Sequence, residues 1–232
     1  MNRLGERLHT MTIVSYTNAN NIDVMFEDGN IKRNVKYCHF KYNNIKNNYK
    51  PLVFGVGYFG EGKYSAKEHR KIYQTWLSMM QRCYSEELKK IRPTYIGCTV
   101  TNEWHNFQVF AKWFNENYID GFHLDKDLTI LGNKMYSPDT CRFIPFEINS
   151  LLTDSGFSRG KLPIGVSLHK TGKYQSSISN NNKKVYLGLF DNIEEAYEVY
   201  KKAKKKYIET QAKRFRAKIG DVIYNNLINY KI

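Results

Sequence analysis

The chain is 232 residues long, with 41% apolar and 15% aromatic side chains, which is enough to bury a core and too hydrophobic for a disordered tail. Its 36 Lys and Arg against 22 Asp and Glu leave a formal charge of +14, which favours a polyanionic partner because phosphate contacts release condensed counterions. No segment approaches the roughly 18 continuous apolar residues of a transmembrane helix, and MNRLGERLHT at the N-terminus has no apolar signal core, so membrane spanning and secretion are not expected.

Residues 9–45 carry strand signals, HTMTIVSY and then NIDVMFEDGNIKRNV, in which Ile22, Val24 and Phe26 alternate ahead of an Asp28-Gly29 turn. The Asn-rich run NNIKNNYK, Pro51 and the glycines of GVGYFGEGK follow as loop. From Ser65 the period becomes helical: Ile72, Trp76, Met79, Met80 and Cys83 share one face, and Trp104, Phe107, Phe110, Ala111 and Phe114 share another. That spacing assigns these aromatics to core packing. Cys38, Cys83, Cys98 and Cys141 show no CxxC pairing, which predicts free thiols in a reducing compartment.

The last segment reads as three strands and a helix. PIGVSLH alternates, Lys170-Thr171-Gly172 turns, KYQSSIS alternates, the asparagines at 180–182 turn, and KKVYLGLF forms the third strand. Asp191 with Glu194 three residues on predicts a capping box, and Ala196, Tyr200, Ala203 and Tyr207 mark the buried stripe of the helix. Strand alternation puts Ile164, Val166, Leu168, Tyr174, Ser176, Ile178, Val185, Leu187 and Leu189 against that helix. Ser167, His169, Lys173, Gln175, Ser177, Ser179, Lys184 and Tyr186 fall on the opposite face. A polar, basic sheet face suits the major groove, where Gln pairs with adenine, Lys with guanine, and Ser with several base edges. Helix residues Lys201, Lys202, Lys204, Lys205 and Lys206, and the basic run after them, are expected to grip phosphates.

The runs Gly165-Val166-Ser167, Thr171-Gly172-Lys173-Tyr174, Val185-Tyr186-Leu187-Gly188-Leu189-Phe190 and Glu194-Glu195-Ala196-Tyr197 together resemble the APETALA-type DNA-binding domain of plant ethylene-response factors and its phage relatives. The resemblance covers about fifty residues and implies a sheet face in the major groove. Carried across, the family's contacting positions fall on Ser167, His169, Thr171, Ser177, Ser179, Lys184 and Tyr186. Several are arginine or tryptophan in the plant proteins, so small hydroxyl side chains here imply modest sequence selectivity.

Upstream, HLDKDLTILGNKMYSPDTCRFIPFEIN at 123–149 combines an acidic strand end, a turn at Gly132-Asn133, a Ser-Pro-Asp turn and a helix start. It resembles the HNH nuclease motif, a ββα unit around one metal ion. That chemistry needs a metal-binding carboxylate, a His as general base, an Asn to orient it and a final Asn or His ligand. The resemblance puts Asp125 and Asn149 at the metal positions, but Lys126 at the base and Thr140 at the central Asn. A lysine protonated near neutral pH is a poor base. His123, on the same strand face as Asp125, is the alternative base.

The resulting expectation is an α+β protein in three parts: a small β-barrel-like unit at 1–62, a helical and ββα HNH-like domain at 63–156, and a βββα DNA-binding domain with a basic helical tail at 157–232. The function expected is double-stranded DNA binding of phage or mobile-element type, in the cytoplasm of the infected cell. The alternatives are an active homing-type DNA endonuclease needing Mg²⁺ or another divalent ion, and an interaction protein whose N-terminal unit engages a host or phage protein.

Overall fold

The computed structural model describes residues 10–152, 162–180 and 183–232. It is a mixed α+β chain that divides by compactness into two units, one of Met1–Ile96 with Val100–Lys112, the other of Gly97–Thr99 with Trp113–Ile232. This grouping differs from the three sequence segments, and the 156/157 boundary lies outside the described residues.

In the first unit, β1 (Met11–Asn18), β2 (Asn21–Phe26) and β3 (Ile31–Val35) form an antiparallel sheet in that order. The alternating Ile22, Val24 and Phe26 point inward and pack with Val35 and Ile45. The Asp28-Gly29 turn forms as its residues predict, with the Asn30 N–H donating to Asp28 Oδ1 at 3.1 Å. The barrel-like expectation is corrected: no closed barrel exists among the described residues. Three strands of this length leave both sheet edges open. The short helix α1 (Tyr37–Lys41) follows the last strand.

Helix α2 (Arg70–Tyr84) buries the expected stripe of Ile72, Trp76, Met79, Met80 and Cys83. One turn before it, Ser65 Oγ accepts the Glu68 N–H and donates to the Glu68 carboxylate, while the Ser65 N–H donates to His69 Nδ1. Ser85 then caps α3 (Glu86–Ile91) by accepting the Leu88 N–H at 3.3 Å. Strand β4 (Thr99–Val100) precedes a 3-10 turn at Asn102–His105. Trp104 sits in that turn, ahead of α4 (Phe107–Asn117), and not on the helix itself. Trp76 Nε1–H donates to the Trp104 carbonyl at 2.7 Å, and the Phe59, Tyr73, Trp76 and Phe107 rings pack together.

In the second unit, β5 (Phe122–Asp125), β6 (Met135–Tyr136), β7 (Arg142–Pro145) and α5 (Phe146–Leu151) form a strand–loop–strand–helix motif. β5 and β7 pair antiparallel, with Asp125 opposite Arg142 and His123 opposite Ile144. Strands β8 (Val166–Leu168), β9 (Tyr174–Asn180) and β10 (Lys183–Phe190) form a second antiparallel sheet with β9 central. The turn predicted at 180–182 includes Asn181 and Asn182, which lie outside the described residues.

Helix α6 (Ile193–Ile228) is interrupted by a kink at Gly220. The expected Asp191 cap is corrected: Asn192 caps the helix, its side chain accepting the Glu194 N–H at 2.7 Å, while Asp191 pairs with Lys173. The basic tail is also more than a tail. Ile208, Ala212, Phe215, Ile219, Ile223 and Leu227 pack with Leu128, Ile144, Ile148 and Leu151 of the strand–loop–strand–helix motif. One helix thus lines the β8–β10 sheet with its first turns and completes a second core with its later ones. No helix among the described residues is long and apolar enough to cross a membrane.

Candidate functional site

In an antiparallel pair, directly opposed residues place their side chains on the same side of the sheet. Ser167 opposes Gln175, Ser177 opposes Tyr186 and Ser179 opposes Lys184, so these six form one continuous outer face. Tyr186 is 59% exposed, its ring standing in solvent. On the other side, Val166, Ser176 and Ile178 are buried beneath α6 with Ala196 and Tyr200.

Two residues assigned to the packed face are exposed on it. Leu168, the last residue of β8, opposes Tyr174, and Val185 opposes the buried Ile178, both on edge strands of the sheet. A third changes sides. A β-bulge between Tyr186 and Gly188 shifts the register, so Leu189 opposes Gln175 and joins the outer face, while Phe190 opposes Tyr174. The bulge needs Gly188, whose φ of 145 and proximity to the Phe190 ring, 2.8 Å from where a Cβ would stand, leave no room for a side chain. Strict alternation misses such a shift; the glycine inside the strand is its sequence signal.

His169, Thr171 and Lys173 occupy the β8–β9 hairpin. His169 Nδ1 and Thr171 Oγ1 are 2.8 Å apart, and Lys173 Nζ pairs with the Asp191 carboxylate at 3.0 Å. That ion pair is solvent-exposed, so it costs little to break for a phosphate. Lys201 is paired with Glu198 and lies over the Tyr197 ring. Lys204 is half-buried, and burial lowers its ammonium pKa. Lys205 is exposed, but it projects from the side of α6 opposite Ala196, about 180° around the helix. Lys205 therefore points away from the outer sheet face and does not join it.

The strand–loop–strand–helix motif places its candidate residues in other roles. Asp125 ends β5, and its Oδ1 accepts the backbone N–H groups of Asp127 and Leu128 at 3.1 and 2.8 Å. Lys126, only 8% exposed, donates to Asp127 Oδ2 at 2.9 Å and to the Asn133 carbonyl at 3.0 Å. These two bonds tie the loop together. Thr140 Oγ1 donates to the Met135 carbonyl at 2.9 Å and contacts Ser137 Oγ, so it too braces the loop. Asn133, passed over in the motif alignment, is a main staple: its side-chain amide reaches the Lys126 and Met135 carbonyls at 2.7 and 2.6 Å. Its position after Gly132 in a turn was the available signal. His123 is exposed, with its ring 5.5 Å from that of Phe146. Asn149 is half-buried on α5.

Asp125 spends one oxygen on backbone donors, Asp127 is engaged by an ammonium, and no group of three or more His, Cys, Asp or Glu side chains able to hold a metal exists among the described residues. Cys83, Cys98 and Cys141 are buried, and burial pushes the Cys141 thiol up to about 12. No family model matches the chain, and no curated protein or solved structure matches it either.

Burial, with the neighbouring Asp127 charge, pushes the Asp125 carboxyl up from an ordinary 3.8 to about 6. Between those values the folded chain keeps a proton that the unfolded chain has lost, so stability falls as pH rises through the window and levels off above it. Asp125→Asn retains an oxygen for the two backbone donors and cannot ionise. It is expected to stabilise the protein by about 2 kcal/mol at pH 7.5 and to match the unsubstituted chain near pH 4. Urea denaturation at both pH values measures this, and destabilisation at pH 7.5 would show that the carboxylate charge is used in the fold.

Proposed function

We propose that the protein binds double-stranded DNA by laying the outer face of β8–β10 in the major groove, with the β5–β7–α5 motif acting as a scaffold for the reading sheet. The observation that carries this reading is the register that lines up Ser167, Gln175, Ser177, Ser179, Lys184 and Tyr186 on one outward face. These side chains offer donors, acceptors and a single cation, with a formal chain charge of +14 to supply sequence-independent attraction. The resemblance to APETALA-type domains supports the same face. Modest selectivity follows from hydroxyl readers, since bidentate Arg–guanine pairs are absent from it.

The test is selection of bound duplexes from a random pool, followed by affinity measurement across a salt series. Replacing both Lys184 and Tyr186 by Ala is expected to lower affinity by about tenfold or more and to flatten the selected motif. An unchanged motif and affinity would remove the sheet face from the interface. A nuclease reading draws support from the strand–loop–strand–helix order with Asp125 at a strand end. Metal-dependent plasmid nicking, lost in both Asp125→Ala and His123→Ala, would establish it against the scaffold role.

A further inference from the structure

The helix that backs the reading sheet carries its own exposed cations on the side the sheet does not use. Ala196 and Tyr200 are buried toward the sheet, and Ile208, Ala212, Phe215 and Ile219 toward the second core. At about 100° per residue, Lys202, Lys206 and Lys213 fall on the strip of α6 that avoids both cores, with Lys205 beside them. All four are exposed. None is held in an ion pair among the described residues, unlike Lys201 with Glu198, Lys173 with Asp191 and Arg216 with Asp221. Glu209 is the only carboxylate between Lys202 and Lys213, and it is half-buried.

A helix body about 10–12 Å across stands between these ammonium groups and anything lying on the outer sheet face. They therefore cannot grip the phosphates of a duplex bound there. From Lys202 to Lys213 the strip rises about 16 Å, which spans about five base pairs of duplex at 3.4 Å each. Four unpaired cations held on a rigid rod along that length repel one another, and a line of phosphates relieves the repulsion.

We infer that Lys202, Lys205, Lys206 and Lys213 form a second phosphate-binding face that takes the backbone of a second DNA duplex, so that one chain bridges two duplex segments. The inference rests on the proposed DNA binding by β8–β10. The first duplex is read through base edges and the second is held by charge alone. Capture of the second duplex is accordingly indifferent to sequence and falls more steeply with salt than retention of the first.

The test uses the full chain on a bead-tethered duplex carrying the selected motif, to which a fluorescent duplex of unrelated sequence is added at low salt. The unsubstituted chain is expected to capture the second duplex. A variant with Lys202→Gln, Lys205→Gln, Lys206→Gln and Lys213→Gln is expected to bind the tethered duplex within about threefold of normal and to capture about tenfold less of the second. The corresponding four Lys→Arg changes should restore capture, and circular dichroism checks that α6 stays helical. Undiminished capture by the Gln variant would assign bridging to self-association and overturn the proposal. Normal binding of the tethered duplex without capture by the unsubstituted chain would also overturn it, leaving the strip to an acidic protein. Failure to bind either duplex would overturn the DNA-binding reading itself, and the bridging inference with it.

Discussion

Gly165→Ala is expected to destabilise the β8–β10 module by about 3 kcal/mol or more and to abolish specific DNA binding. Gly165 has a φ of +79, and a Cβ built on it would stand 2.0 Å from Cδ2 of Tyr200 and 2.4 Å from Cε2. The left-handed backbone costs a non-glycine residue about 1–2 kcal/mol, and the overlap with a packed ring adds about 1–3. Tyr200 is only 3% exposed, so its ring must give way inside the packed module to admit the methyl group. The Gly165 carbonyl also accepts the Ser177 N–H at 2.9 Å, so any displacement moves Ser167 relative to Gln175 and Ser177 on the outer face. Urea denaturation measures the loss. Combining Gly165→Ala with Tyr200→Ala separates the two causes: the pair should cost clearly less than the sum of the single changes, and strict additivity would show that the ring contact is not the source.

The sequence made the local elements legible wherever a single buried face set the period. Ile72, Trp76, Met79, Met80 and Cys83 repeat at helical spacing because one side of α2 meets the core, and Ile22, Val24 and Phe26 alternate because one side of β2 does. The later part of α6 was harder to read. Its buried stripe turns from the sheet-facing Ala196 and Tyr200 to Ile208, Ala212, Phe215 and Ile219, so no single face stays apolar along its length. The dense lysines between them pointed to a basic, phosphate-gripping tail and not to a second core. A helix serving two cores in succession hides its amphipathicity from any one periodic template.

On the candidate site, the alternation of β8 and β9 located the polar face, since both strands run without interruption. What escaped was the bulge at Leu187-Gly188, which moves Leu189 to that face, and the direction of the α6 lysines, which depends on which side of the helix the sheet occupies. Lys126 illustrates a second limit. Its place in the motif put it where the general base belongs, yet its bonds to Asp127 and to the Asn133 carbonyl close a loop of this chain. A lysine beside two aspartates reads alike in either role, and only the course of residues 126–141 decides between them.

Trp76→Ala is expected to cost about 3–5 kcal/mol, the usual range for emptying a large aromatic site in a core. Trp76 is fully buried, its ring centroid 5.4 Å from that of Phe107 and 6.1 Å from that of Tyr73. A Cβ at Gly57 would stand 3.0 Å from the indole, so the loop backbone presses directly on it. The neighbouring rings and loop backbone have little freedom to collapse into the space, while the Met80 side chain, which also lies against Gly57, can fill part of it, so the cost stays within that range. Trp76→Phe separates packing from hydrogen bonding. It keeps an aromatic ring in the site but removes the Nε1–H that reaches the Trp104 carbonyl at 2.7 Å, and it is expected to cost about 2 kcal/mol. Urea denaturation of both variants checks the order. If Phe proves as costly as Ala, the indole hydrogen bond carries the site; if Ala costs less than about 1 kcal/mol, the Tyr73–Trp76–Phe107 cluster is not where this unit keeps its stability.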